Sequence, residues 1–253
     1  MSSRAEGITL IGVDCAVQAK SIGIAIGTWT NGTVAVNEIF VGSNEPAEVI
    51  APIIREKRPA LLAFDSPLGW PELMGRLLAE HEASAALPVD ANHLFRRETD
   101  RFVKRKIGKQ SLDVGADRIA RTAHAAVGLL EQIRALSDAK IPLAWQGQAL
   151  SKTSCIEVYP AATLEAIGIS SRGYKGSKEA HLQARAKLLD ELEGILRLSE
   201  AAAEQAVASD DAFDAALCCV TAADFLLGNV YEPTDIDLAQ KEGWIWVRRI
   251  EEQ

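Results

Sequence analysis

The chain has 253 residues, of which 48% are hydrophobic and 25% charged, a composition that excludes a fibre or a disordered tail and suits one large α/β domain better than two. Its net charge of −8 argues against capture of nucleic acid by the surface as a whole. No apolar run approaches the roughly 18 residues of a membrane helix, and the start MSSRAEG lacks the regions of a signal peptide, so a cytoplasmic protein with no membrane partner is expected.

The first elements read as strands. Residues 8 to 14 (ITLIGVD), 21 to 28 (SIGIAIGT) and 33 to 40 (TVAVNEIF) are rich in β-formers, and Asn31-Gly32 before the third is a strong hairpin signal. Residues 45 to 57 then carry helical periodicity through Val49, Ile50, Ile53 and Ile54, and a buried strand, ALLAFD, follows at 60 to 65. The stretch from about 66 to 150 contains Pro67, Pro71 and Pro88, a basic segment and a helical run from about Ala116 to Leu136, and reads as a mostly helical insertion in a single domain spanning 1–253. A strand at 153 to 158 (TSCIEV), short helices, an Asp-rich helix of about 209 to 227 and a terminal strand complete the order.

Acids fall where these elements end. Asp14 closes the first strand, Asp65 the fourth and Glu157 the fifth, so each lies at a sheet edge rather than in mid-core. In DDAFDAALCC (210 to 219), Asp210, Asp211 and Asp214 share adjoining parts of one helical face. Converging carboxylates are what hard divalent cations such as Mg²⁺ or Mn²⁺ require, and Asp14, Asp65, Asp211 and Asp214 are the expected metal ligands. Asp210 with Ser209 reads equally as a helix cap. Glu157 reads either as a further catalytic carboxylate or as an ion-pair partner of a nearby cation. The four cysteines have no C-x-x-C spacing and read as reduced core residues, and the four histidines show no ligand spacing.

The segment RRETDRFVKRKIGK (96 to 109) holds seven basic residues against two acids, a local balance of +5. Beside clustered acids, such a patch offers phosphates the attraction that the acids deny them. Arg96, Arg97, Arg101, Lys104 and Arg105, together with Lys20 and Lys175, are therefore expected to bind a nucleic-acid substrate. The charge pattern does not distinguish DNA from RNA, and nothing in the sequence sets an oligomeric state.

The motifs GVD (12 to 14), FDSPLGWP (64 to 71), RRETD (96 to 100), EVYPAA (157 to 162), YKG (174 to 176), DDAFDAALCC (210 to 219) and EGWIW (242 to 246), taken in this order, resemble domain-of-unknown-function family 429, DUF429. The resemblance covers almost the whole chain and implies an RNase H-like fold: a mixed five-stranded sheet flanked by helices, with the first and fourth strands side by side. It implies a nuclease hydrolysing phosphodiesters with two metal ions, Asp14, Asp65, Glu157, Asp211 and Asp214 serving catalysis. Two other readings remain. A noncatalytic nucleic-acid or partner-binding protein would keep the same fold. An ATP-dependent phosphotransferase would need a phosphate-binding hairpin in DCAVQAKSIG (14 to 23), where glycine arrives only at Gly23.

Overall fold

The computed structural model describes residues 7–30, 32–56, 59–148 and 150–250. Its frame is one mixed sheet. Strands β1 (Ile8–Asp14), β2 (Gly23–Thr30) and β3 (Thr33–Phe40) form an antiparallel meander. Gly32 in the second connection has φ 85°, the left-handed backbone that the hairpin reading required; Asn31 lies outside the described residues, as do residues 1–6 of the amino-terminal start. Helix α1 (Pro46–Arg55) begins with proline in its first turn, where a missing N–H costs nothing. It returns the chain to β4 (Ala60–Asp65), which lies parallel to β1 with Asp14 directly opposite Asp65.

Between β4 and β5 (Ser154–Val158) run helices α2 (Glu72–Leu78), α3 (Ala91–Phe95), α4 (Glu98–Ile107) and α5 (Ile119–Ser137). After β5 come α6 (Pro160–Ile167), α7 (Glu179–Glu191), β6 (Leu196–Leu198), α8 (Glu200–Ala208), α9 (Asp210–Leu227), α10 (Ile236–Glu242) and β7 (Ile245–Trp246). The sheet order is β6-β3-β2-β1-β4-β5-β7. The class is α/β with a mixed sheet, as expected, but the described residues form seven strands in place of the five that the resemblance implies. The two further strands lie at the edges: β6 pairs with β3 over three residues and β7 with β5 over two. Of these, β7 is the terminal strand expected from the order of elements, whereas β6 is too short for its pattern to reveal a strand.

Side-chain alternation divides the sheet into two faces. Leu10, Ala25, Leu61, Ala63, Ile156 and Val158 pack beneath α9, whereas Ile11, Val13, Ile24, Leu62, Phe64 and Cys155 pack against α1 and α5. Helix α9 is buried on every side from Ala212 to Leu226. A helix apolar over most of its circumference belongs in a core, and this one, its buried stretch interrupted only by Asp214, Thr221 and Asp224, lies across the middle strands with α6 and α8 on its flanks. Its close approach depends on two glycines. A β-carbon on Gly12 would lie 2.0 Å from the carbonyl oxygen of Ala215, and one on Gly23 would lie 2.2 Å from that of Asp211.

Candidate metal centre

Asp14 and Asp65 end neighbouring parallel strands in register, and they continue the rows Leu10-Gly12 and Leu61-Ala63. By the two-residue period both therefore lean toward the face that α9 covers. The first turn of α9 arrives above them, its backbone lowered onto β1 and β2 by Gly12 and Gly23. One carboxylate oxygen from each of Asp14, Asp65 and Asp214 lies within 4.8 Å of the other two. Asp214 is 1% exposed, and the other two are partly buried.

Three acids this close repel one another in the charged form. Burial first, and then the charges of Asp214 and Asp65, raise the Asp14 pKa well above the carboxylate range. Burial and Asp214 push Asp65 up to about 7, with Lys175 opposing. Asp214 is raised by burial, against the pull of Lys175 and Tyr174. Asp211, at the rim, is raised by burial and by the charge of Asp210, and its carboxyl meets that of Asp14. Without a cation the cluster is thus held partly protonated.

Two groups orient Asp214. The Tyr174 hydroxyl donates to Oδ1 at 2.8 Å, and the Lys175 ammonium meets Oδ2 at 2.7 Å. Burial alone would lower the Lys175 pKa, but Asp214 and Asp65 together raise it. The loop that carries these two side chains is tied down twice. Gly176 N–H donates to Asp210 at 3.0 Å, and the guanidinium of buried Arg185 donates to the carbonyls of Tyr174, Gly176, Val207 and Ala208. Asp210 is therefore a loop fastener, while Ser209 caps α9 by accepting from Ala212 N–H. Nothing in the sequence singled out Arg185, because its partners are all backbone carbonyls.

Glu157 does not join the triad. It pairs with Phe64 across β4 and β5, and Phe64 and Cys155 both face α1 and α5, so the pleat turns Glu157 to the opposite side of the sheet from Asp65. There it receives the buried Arg97 guanidinium at 2.6 and 2.8 Å and the Leu68 N–H at 3.0 Å. Arg97 also grips Asp100 at 3.0 and 3.1 Å and the carbonyl of Glu242. Burial would depress the Arg97 pKa, yet Asp100 and Glu157 outweigh it and raise it. Of the two roles open to Glu157, the ion pair is the one formed.

The basic segment is largely spent on internal contacts. Arg96 pairs with Asp113, Arg101 and Arg105 both pair with Glu98, and Lys104 donates to the Gly108 carbonyl. Lys20 is exposed in the turn after β1. A cavity of about 470 Å³ opens beside Asp14 and Asp65, and among the seven cationic candidates only Arg97 and Lys175 line it. Arg118, Arg121 and Tyr159 line it too. Arg118 and Arg121 stand outside the quoted motifs and the densest charge run, and Tyr159, although inside EVYPAA, has no charge to mark it.

A mixed sheet with acids converging at paired strand ends, under a buried helix that adds a third, defines an α/β protein with a carboxylate cluster suited to a metal ion. The family profile described as protein of unknown function, DUF429, matches residues 12–238, and the chain belongs to that family. No curated protein matches the sequence. Among the described residues no helix is long and apolar enough to cross a membrane.

Proposed function

We propose that this protein is a metal-dependent nuclease, hydrolysing phosphodiester bonds at Asp14, Asp65 and Asp214. The observation that carries the reading is the approach of these three carboxylates to within 4.8 Å at one sheet edge, beside a cavity. The donor set fits the ion: three carboxylates, with neither thiol nor imidazole among them, match the oxygen preference of Mg²⁺ and Mn²⁺. When bound, a pair of such ions supplies activated water and charge neutralisation at the phosphate. The chain's own contribution is positional. Tyr174 and Lys175 fix the rotamer of Asp214, the β1–β4 register fixes Asp14 against Asp65, and Asp211 lies at the rim within reach of Asp14.

A phosphotransferase reading is disfavoured by a specific contact. Gly23, the one glycine in residues 15–23, lies against the Asp211 backbone and is not free to cradle a phosphate. A noncatalytic binding protein would keep the geometry but not the chemistry. Calorimetric titration with Mn²⁺, followed by cleavage assays on single- and double-stranded DNA and RNA, separates these possibilities. Expected are Mn²⁺ binding and metal-dependent cleavage, both lost in Asp14→Asn with the circular dichroism spectrum unchanged. Undiminished Mn²⁺ affinity in that variant would refute the site assignment, and metal binding without cleavage of any probe would support the binding protein.

A further inference from the structure

We infer that Arg118 and Arg121, on one wall of the cavity beside the carboxylates, form the anion subsite for a phosphate ester of about nucleotide size. Four observations lead there. The two arginines are three residues apart at the start of α5 and so share one helical face. Both are exposed and line the same cavity as Asp14 and Asp65. Among the described residues neither guanidinium has an ion pair or hydrogen-bond partner, whereas those of Arg96, Arg97, Arg101 and Arg105 are each held by carboxylates. The cavity also carries exposed apolar side chains, Val17 at 57% and Leu112 at 42%.

The combination specifies ligand chemistry. A guanidinium with no protein partner retains its full set of donors, and a planar fork matches phosphate oxygens in bidentate fashion. Exposed Val17 and Leu112 supply apolar contact for the uncharged part of the same molecule. A volume of about 470 Å³ falls within the ordinary range for small-molecule sites, so the ligand enters as a single nucleotide unit or strand end and not as the body of a duplex. The subsite would present that phosphate to the carboxylates. It rests on the proposed nuclease reading for its use but not for its binding.

The test uses the dinucleotide pTpT and a long DNA duplex as probes, with wild type, Arg118→Gln/Arg121→Gln, and Arg101→Gln/Arg105→Gln as a comparison, each with and without Mn²⁺. Wild type should bind pTpT in both conditions. The Arg118/Arg121 variant should lose affinity by about tenfold or more, the loss expected when charge-assisted hydrogen bonds are removed, while its Mn²⁺ titration stays as in wild type and shows that the fold is intact. The Arg101/Arg105 variant should bind pTpT normally. If wild type fails to bind Mn²⁺ but the Arg118/Arg121 variant still loses pTpT, the metal reading falls and the subsite stands. The subsite is overturned if that variant binds pTpT as wild type does, if wild type does not bind pTpT at all, or if only the duplex binds and only the Arg101/Arg105 variant weakens it.

Discussion

The backbone of Ala215 in α9 lies directly over Gly12 of β1, so near that a methyl group on the glycine would come within 2.0 Å of the Ala215 carbonyl oxygen. The position of Asp214, one residue earlier on the helix, is therefore set by the absence of a side chain on the strand.

Gly12→Ala and Gly23→Ala should each push α9 away from the sheet. Overpacking ordinarily costs about 1 to 3 kcal/mol, and here the clash is with backbone rather than with a flexible side-chain end, so a loss at or above the upper figure is expected. Denaturant melts measure it. Mn²⁺ affinity should fall in the same variants, because Asp214 moves with the helix; unchanged affinity would separate helix placement from the site.

Removing Arg97 should be among the most damaging single changes. Arg97→Met strands Asp100 and Glu157 in the core, and leaving a buried charge without its partner costs about 3 to 5 kcal/mol. The paired change Arg97→Met/Glu157→Gln should recover part of that loss. Arg97→Lys should also be destabilising, since one ammonium cannot serve two bidentate carboxylates. Urea denaturation of the three variants tests the order.

Stability of the metal-free protein should decline as pH rises. Asp65 is pushed up to about 7, and Asp14 and Asp214 are shifted in the same direction, so the folded state holds protons that the unfolded state releases. Their stabilising contribution is complete below the unfolded carboxylate range near pH 4 and is lost as pH passes through about 7. Thermal melts in chelator from pH 5 to 8 should show the midpoint falling, with Mn²⁺ at 100 times its dissociation constant restoring about 2.7 kcal/mol at pH 8. Asp14→Asn should melt higher than wild type in chelator at pH 8, by about 1.4 kcal/mol for each unit by which its neighbours' pKa values drop, and should gain nothing from Mn²⁺. A midpoint that rises with pH in wild type would contradict the charge repulsion.

Lys175 competes for the position a metal would neutralise. Its side chain is 56% exposed while its partner Asp214 is 1% exposed, so water screens the pair and the effect is smaller than in a fully buried bridge. Lys175→Gln should tighten Mn²⁺ binding several-fold at pH 8 and slow any cleavage. Weaker Mn²⁺ binding in this variant would mean that the ammonium shapes the ligand set and does not oppose the ion.

Much of this arrangement was legible in the sequence. Runs of β-formers and apolar residues located β1, β3 and β4 to the residue, and an acid at the end of the first and fourth strands, which the resemblance to DUF429 set side by side, foretold the Asp14–Asp65 pair. The opposite lean of Glu157 was legible in principle, since it shares the parity of Cys155 within its strand, but only the register against Phe64 shows which face that is. The basic segment misleads for a physical reason: a charge run reports its own sign and not its neutralising partners, and Glu157 stands 60 residues from Arg97. Arg118 and Arg121 carry the reverse lesson, since sparse cations acquire meaning only from the cavity they border.

The Arg97 cluster also constrains the order in which the chain becomes itself during synthesis. Arg97 leaves the ribosome well before Glu157, and both precede Glu242, whose carboxylate accepts the backbone N–H groups of Glu72 and Glu98. Until β5 exists, the RRETD stretch lacks one of the two carboxylates it is built around, and until α10 exists, the N–H groups of Glu72 and Glu98 lack their acceptor. Asp214 is made almost as late. A nascent chain that stops short of Asp214 thus carries neither the closed core beneath the cavity nor the third carboxylate beside it, and the arrangement described here forms only once Asp214 and Glu242 have both been made.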